Sequence, residues 1–232
     1  MKPLFSLLAL SLFLTGCAGN GDYRDPRDPL EPMNRAIHSF NEKLDRAVMK
    51  PVATGYRAVM PTFAQTGVRN FFSNLNDVTV LANNMLQLKL EDSASDVLRI
   101  SVNSTFGFLG LLDIASEMGL RKHGEDFGQT LGYWGVGNGP YLVLPLFGPS
   151  NVRDATGFWA DASFSPSNQL IEDVPTRNQL WLVRVVSRRA DLLDAKAAID
   201  AAALDPYEFQ RDLYLEHRLN QVYDGKPPVI EE

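Results

Sequence analysis

The stretch that most constrains the fold of this chain runs from Phe127 to Val152 and contains no charged side chain. It is long enough to cross the hydrocarbon core of a bilayer if it were helical, because about 20 apolar residues suffice. Glycines and prolines interrupt it throughout, which excludes a regular spanning helix. Irregular backbone at membrane depth is tolerated only where protein or a water-filled cavity surrounds it. The sequence therefore predicts an uncharged, glycine-hinged segment enclosed by other elements.

The N-terminus indicates export followed by lipidation. A short positive n-region precedes an apolar run over residues 4–14, which is too short and wrongly flanked for a transmembrane helix. The motif LTGC at 14–17 is similar to the bacterial lipobox, in which small residues precede an acylated cysteine. Cys17 is the only cysteine, so no intrachain disulfide can form. We predict a signal peptide over 1–16, acylation of Cys17 and a flexible tether over 17–31.

Composition favours one folded domain. The chain has 232 residues, 45% hydrophobic and 22% charged, which is typical of a globular domain. A net charge of −6 argues against nucleic-acid binding, which depends on a positively charged surface. We predict a helical domain over 32–225 and a disordered tail over 226–232.

Apolar periodicity predicts an all-α fold of mostly amphipathic helices with at most one short β-hairpin. Proline at 51 should interrupt or kink the first helical stretch. The hairpin is expected between residues 141 and 147, where short apolar runs are bounded by prolines. Helices are expected over residues 32–61, 64–90, 91–105, 150–162, 176–204 and 206–223.

Three apolar or amide-rich stretches leave alternatives open. One face of the helix over 64–90 is polar but almost uncharged, which suits lipid headgroups or a hydrated channel wall as well as bulk solvent. Residues 106–120 have only two charged side chains. They are expected to form a buried core helix, with a helix dipping into lipid as the alternative. The apolar surface of 176–204 fits either a bundle interior or a membrane surface.

The sequence contains no pattern of residues that argues for catalysis. His38, His123 and His217 lie on separate elements without metal-ligand spacing. The segment HGED at 123–126 could bind a cation, although a solvated loop is the favoured interpretation. There is no G-x-S-x-G elbow, no P-loop lysine and no C-x-x-C. We therefore predict a protein that is not an enzyme and has no cofactor and no metal site.

Three motifs extend the likeness beyond the lipobox: DPLEPMNRAIHSFNEKLD, FGFLGLLDIASEMGL and EDFGQTLGYWGVGNGPYLVLPLFGPSNVRD. Together they closely resemble the MlaA/VacJ lipoprotein family from about Asp28 to Gly225. The resemblance implies a ring of helices within the membrane plane, enclosing an amphipathic channel. It also implies an outer-membrane, lipid-anchored protein on the periplasmic side, with helices embedded in the bilayer.

The family implies a function as well as a fold. Such a protein removes mislocalised phospholipid from the outer leaflet and passes it to a periplasmic carrier of the MlaC type, and it associates with a trimeric porin. Gly135 and Gly137 match the glycines that flank the family's mobile loop, which implies a hinge. Asn41 and Glu42 match a position linked to channel gating, where the family can show Asn-Phe. The alternatives are a structural or porin-associated lipoprotein without transport activity and, less favoured, a phospholipase.

Overall fold

A computed structural model describes residues 25–228. The signal peptide, Cys17 and part of the predicted tether lie outside the described residues, as does the end of the predicted tail. The helices are α1 (Glu31–Leu44), α2 (Lys50–Val59), α3 (Thr62–Leu86), α4 (Leu90–Thr105), α5 (Ile114–Glu117), α6 (Phe127–Tyr133), α7 (Val152–Phe164), α8 (Pro166–Leu170), α9 (Val174–Asp191), α10 (Leu193–Ala202) and α11 (Pro206–Val222); the strands are β1 (Tyr141–Leu144) and β2 (Gly148–Asn151).

The elements pack in a closed circuit. Helix α1 contacts β1, the strand β2 contacts α11, and α11 contacts α6. Helix α6 then contacts α3, α3 contacts α9, and α9 contacts α2, which leads back to α1. Within residues 25–228, the many helices and one short hairpin confirm the predicted mostly helical architecture.

The interruption predicted at Pro51 takes the form of a π-helical turn over Asp45–Met49, between α1 and α2. Proline lacks an N–H and its ring collides with the carbonyl four residues earlier, so a regular α-helix cannot run through it. A π turn absorbs one extra residue and lets the helix continue. The two helices therefore form one long, locally widened rod.

The predicted hairpin is present and antiparallel, but it spans 141–151 rather than 141–147, because β2 begins only at Gly148. Its register pairs Tyr141 with Asn151 and Leu144 with Gly148. Gly148 has φ +85°, a left-handed conformation that favours glycine where the chain reverses. Helix α7 starts directly after β2, because the Asn151 side chain accepts a hydrogen bond from the Asp154 N–H and caps the helix.

The prediction of a buried core helix over 106–120 is wrong. Only α5 is helical there, and the turn before it exposes 74% of Phe106 and 71% of Phe108. Two glycines explain the turn. A Cβ at Gly107 would lie 2.2 Å from the Leu112 carbonyl oxygen, and Gly110 has φ +90°. Backbone packed this tightly cannot form a regular helix at this point.

The long helix expected over 176–204 is two helices, α9 and α10. Asp173 is the N-cap of α9, and its carboxylate accepts the Thr176 N–H at 2.9 Å. The break at Leu192 turns Leu193 into a small buried cluster with Ala53 and Ala190. Periodicity did not reveal this break, because no glycine or proline marks it.

Candidate functional site: a polar interior within an apolar belt

Burial among the described residues is the reverse of that in a typical globular domain. Buried polar and charged residues outnumber buried apolar ones, and large apolar side chains are exposed along most helices. Val59, Phe63 and Phe164 are examples, with exposed fractions of 86%, 81% and 78%. Extensive exposed apolar surface marks a site of interaction with membrane or protein.

The amide-rich face of α3 is turned inwards and bonded to neighbouring helices. Asn84 Nδ2 donates to Asp96 Oδ2 on α4 at 2.7 Å, and Asn83 Nδ2 donates to Asp161 Oδ1 on α7 at 3.1 Å. The alternative that bulk solvent covers this face is therefore wrong at its buried positions. These positions do not line an open channel either: Asn74, Asp77, Asn83 and Asn84. Polar groups join the helices here because buried amides and carboxylates require partners.

The two ends of the uncharged segment Phe127–Val152 meet at one arginine. Arg218 on α11 donates through Nη1 and Nη2 to the Asp126 oxygens at 2.6 and 2.9 Å. Its Nε and Nη2 donate to the Asp154 oxygens at 2.8 and 2.9 Å. Paired contacts of this kind are the strongest geometry for an arginine and a carboxylate. We call Asp126, Asp154 and Arg218 the ionic clamp.

Further donors complete the bonding of Asp154. The Tyr214 hydroxyl and Asn151 Nδ2 each donate to Asp154 Oδ2 at 2.6 Å. Burial alone would raise the pKa of Asp154, but the hydrogen bonds and positive charge of Arg218 outweigh it and place that pKa below its usual range. The same balance lowers the pKa of Asp126. Both carboxylates are therefore ionised at neutral pH.

Glycines bring α6 and α7 into direct backbone contact beside the clamp. A Cβ at Gly157 would lie 2.3 Å from the Gly128 nitrogen, closer than a real side chain allows. A Cβ at Gly132 would lie 2.8 Å from Arg153 Nη1. The small-residue spacing of 128 and 132 thus serves close helix packing.

The predicted hinge glycines lie in the loop between α6 and β1. Gly135 has φ +87° and ends α6, where its N–H donates to the Gly132 carbonyl at 2.9 Å. Gly137 lies in the loop two residues later, and no atom lies within 4 Å of a Cβ added to either glycine. Both positions therefore have free space around them, while only Gly135 needs a left-handed backbone.

The predicted gating residues Asn41 and Glu42 contact different parts of the circuit. Asn41 Nδ2 donates to the Leu144 carbonyl at 3.0 Å, and its Oδ1 accepts the Leu146 N–H at 2.9 Å. Glu42 instead accepts from Lys196 Nζ on α10 at 3.0 Å. The first residue therefore binds the hairpin turn, and the second links α1 to α10.

Asn34 lies two helical turns before Asn41 on α1 and binds the hairpin backbone in the same way. Its Nδ2 donates to the Tyr141 carbonyl at 3.0 Å and its Oδ1 accepts the Val143 N–H at 2.9 Å. Asn34 is fully buried. The two asparagines together satisfy the free edge of β1, in place of a third strand.

Two cavities open beside these elements. One, of about 380 Å³, lies between α1, α10 and α11. The other, of about 540 Å³, lies between the start of α3 and the turn that precedes α5. Within residues 25–228, no helix combines the length and hydropathy needed to cross a membrane. The same described part of the chain has no cluster of ligating side chains suited to a metal ion.

Comparison with known proteins identifies the family of this chain. The model of the MlaA lipoprotein family matches residues 26–221. The chain belongs to this family. A relative from Shigella flexneri, an intermembrane phospholipid transport system lipoprotein, is 35% identical over 93% of this chain and 87% of its own length. The relative of the same name from Haemophilus influenzae is 32% identical over 97% of this chain and 92% of its own length.

A solved structure of the family agrees with the fold. It comes from work on the structural basis for maintenance of bacterial outer membrane lipid asymmetry. It matches with a TM-score of 0.74 at 31% identity, over 88% of this chain and 100% of that chain. The family resemblance predicted from the three motifs is confirmed.

Two site residues were not predicted from the sequence, Arg218 and Asn34. One feature of the sequence indicates the ionic clamp. Asp126 and the pair Arg153-Asp154 bracket an uncharged stretch, and a buried carboxylate needs a cation. Nothing in the sequence indicates which arginine supplies it. For Asn34, the signal is its spacing of seven residues from Asn41, which places both amides on one face of a helix.

Proposed function

We propose that this protein is a lipoprotein that removes mislocalised phospholipid from the outer leaflet of the outer membrane and so maintains lipid asymmetry. The observation that carries this proposal is the match over almost the whole chain to relatives named for intermembrane phospholipid transport. The related solved structure concerns the same lipid asymmetry.

The surface chemistry supports a role at a lipid boundary. Apolar side chains on the outside can contact acyl chains, while polar groups face the interior. A lipid that crosses such a body passes its headgroup along polar groups and keeps its tails near apolar ones. We propose that this passage follows the inside of the helical circuit, with the loop at Gly135 and Gly137 as its moving part and with Asn41 and Glu42 as its gate.

The anchor and the partners are part of the same proposal. Acylated Cys17 would attach the protein to the outer membrane, on the periplasmic side, with the apolar belt embedded in the bilayer. A trimeric porin and a periplasmic carrier of the MlaC type would be its protein partners. We propose transport without bond cleavage, so that a phospholipid leaves unchanged and no cofactor or metal is needed.

The test measures phospholipid at the cell surface with and without this protein. Loss of the gene should raise outer-leaflet phospholipid, and the wild-type gene should restore the low level. Cys17→Ala should lose acylation and should fail to restore it. A structural lipoprotein would leave surface phospholipid unchanged when its gene is removed. A phospholipase would instead release fatty acid or lysophospholipid when the purified protein is mixed with lipid.

A further inference from the structure

The cavity of about 380 Å³ has two chemically different walls. One wall is ionic and consists of Glu42, Lys196 and Asp200. The other is apolar and includes Ile199, Phe209 and Leu213. Binding sites for small molecules commonly combine apolar walls with a few polar groups that fix orientation, and they start at about 300 Å³.

The ionic wall carries one more negative than positive charge. Lys196 Nζ lies 3.0 Å from Glu42 Oε1 and 2.6 Å from Asp200 Oδ1, so one cation faces two carboxylates. The nearby pair of Asp45 and Arg189 adds no net charge, because its atoms are paired at 2.6 Å. Burial by itself would lower the pKa of Lys196, but the two carboxylates outweigh it and raise that pKa.

Positive charge outside the cavity does not cancel this excess. Arg46 Nε donates to the Glu42 backbone carbonyl at 3.3 Å, but Arg46 is exposed and does not line the cavity. Salt strongly screens exposed charges, but Glu42 and Lys196 have side-chain exposures of only 22% and 25%, and Asp200 is more exposed, at 49%. The ionic wall therefore keeps a formal excess of one negative charge that salt screens only in part.

We propose that this cavity is a headgroup site that prefers phospholipids with a cationic ammonium, such as phosphatidylethanolamine, over anionic phosphatidylglycerol. The proposal rests on the proposed function and adds the headgroup preference. The ammonium would replace Lys196 Nζ between Glu42 and Asp200, and the displaced lysine would pair with the phosphate. The apolar wall would take the first part of an acyl chain, which distinguishes a lipid from a free amine.

The test uses the purified full-length lipoprotein in micelles that contain equal amounts of the two phospholipids. Bound lipid is extracted, and the ratio of ethanolamine lipid to glycerol lipid is measured. Glu42→Gln and Asp200→Asn together remove two negative charges and should lower that ratio about threefold to fivefold, because a partly exposed ion pair contributes up to about that factor. Lys196→Gln removes the cation and should raise the ratio.

A matched control is Glu216→Gln, which removes one exposed carboxylate on α11 that does not line the cavity. It should leave the ratio unchanged. A ratio that is the same in wild type and in both cavity variants, with phospholipid still bound, would overturn this inference and leave the proposed function intact. Absence of any bound phospholipid in wild type would instead contradict the proposed function. Opposite shifts from the acidic and basic variants cannot result from general unfolding.

Discussion

Arg218 and Asp154 form a buried bidentate ion pair between α11 and α7, across 64 residues of sequence. The same guanidinium binds Asp126, the residue that immediately precedes the uncharged segment. The base of this segment is therefore closed by charge, while its tip contains the loop at 135–139. Motion proposed for the loop has a rigid foundation, because the clamp fixes both of its ends.

Loss of the arginine should destabilise the fold. Arg218→Met removes the cation that binds Asp126 and leaves Asp154 with Arg153 alone, and breaking a buried ion pair costs about 3–5 kcal/mol. We expect the free energy of unfolding in detergent to fall by about 3 kcal/mol, measured by denaturant titration. Arg121→Met is the control, since Arg121 is exposed, and it should stay within about 0.5 kcal/mol of wild type. Equal stability of both variants would refute the structural role of the clamp.

Acid should weaken the fold through the same group of residues. The pKa values of Asp126 and Asp154 are lowered in the folded state. A lowered folded pKa contributes stability that is present above the unfolded pKa and is lost as pH falls through the folded pKa. We expect the unfolding free energy to decrease as the pH falls below about 4, the pKa of an unfolded aspartate, with a smaller decrease in Arg218→Met. A pH profile that is the same in variant and wild type would assign the acid sensitivity to other carboxylates.

Close packing of α6 on α7 should not tolerate a methyl group. Gly157→Ala places its Cβ on the Gly128 backbone, and overpacking costs about 1–3 kcal/mol. We expect a lower thermal midpoint for this variant. Gly55→Ala is the matched control, because Gly55 lies in α2 with no atom within 4 Å of an added Cβ. That change should raise stability by up to about 1 kcal/mol.

The two asparagines on α1 should protect different amides of the hairpin. Asn41→Leu removes the acceptor of the Leu146 N–H, and Asn34→Leu removes the acceptor of the Val143 N–H. Hydrogen exchange should therefore accelerate at Leu146 in the first variant and at Val143 in the second. Acceleration at both amides in either variant would mean that the hairpin opens as one unit.

The hinge role of the loop can be tested apart from its stability. Gly137→Pro fixes φ near −65° and should reduce removal of surface phospholipid while leaving the protein level normal. Gly137→Ala adds only a methyl group in open space and should transport like wild type. The readout is outer-leaflet phospholipid in cells that carry each variant. Full transport by Gly137→Pro would show that freedom at this position is not needed.

Sequence patterns predicted local features better than the direction in which helices face. Periodicity located α3, α4 and α11, because each has a single clear spacing of apolar residues. It missed the break at Leu192, since no glycine or proline marks it. The rule that apolar residues are buried also predicted burial of residues 106–120, whereas the structure exposes Phe106 and Phe108.

For the functional site too, residues within contiguous motifs were predicted, whereas contacts between residues far apart in sequence were not. The glycines of the loop and Asn41 were predicted through the family motifs, which are contiguous in sequence. Arg218 could not be predicted, because its partners lie 92 and 64 residues away and only the folded circuit brings them together. The opposite charges of Glu42 and Lys196 are likewise 154 residues apart.

The exposed apolar belt has a consequence for the temperature dependence of stability. Unfolding of a typical domain exposes apolar surface and gives a large positive heat-capacity change, which curves the stability profile. Here many large apolar side chains are already exposed in the folded chain, and the interior releases polar groups, whose hydration lowers the heat capacity. The heat-capacity change per residue should therefore be small, so that stability varies almost linearly with temperature and cold denaturation lies far below the usual range.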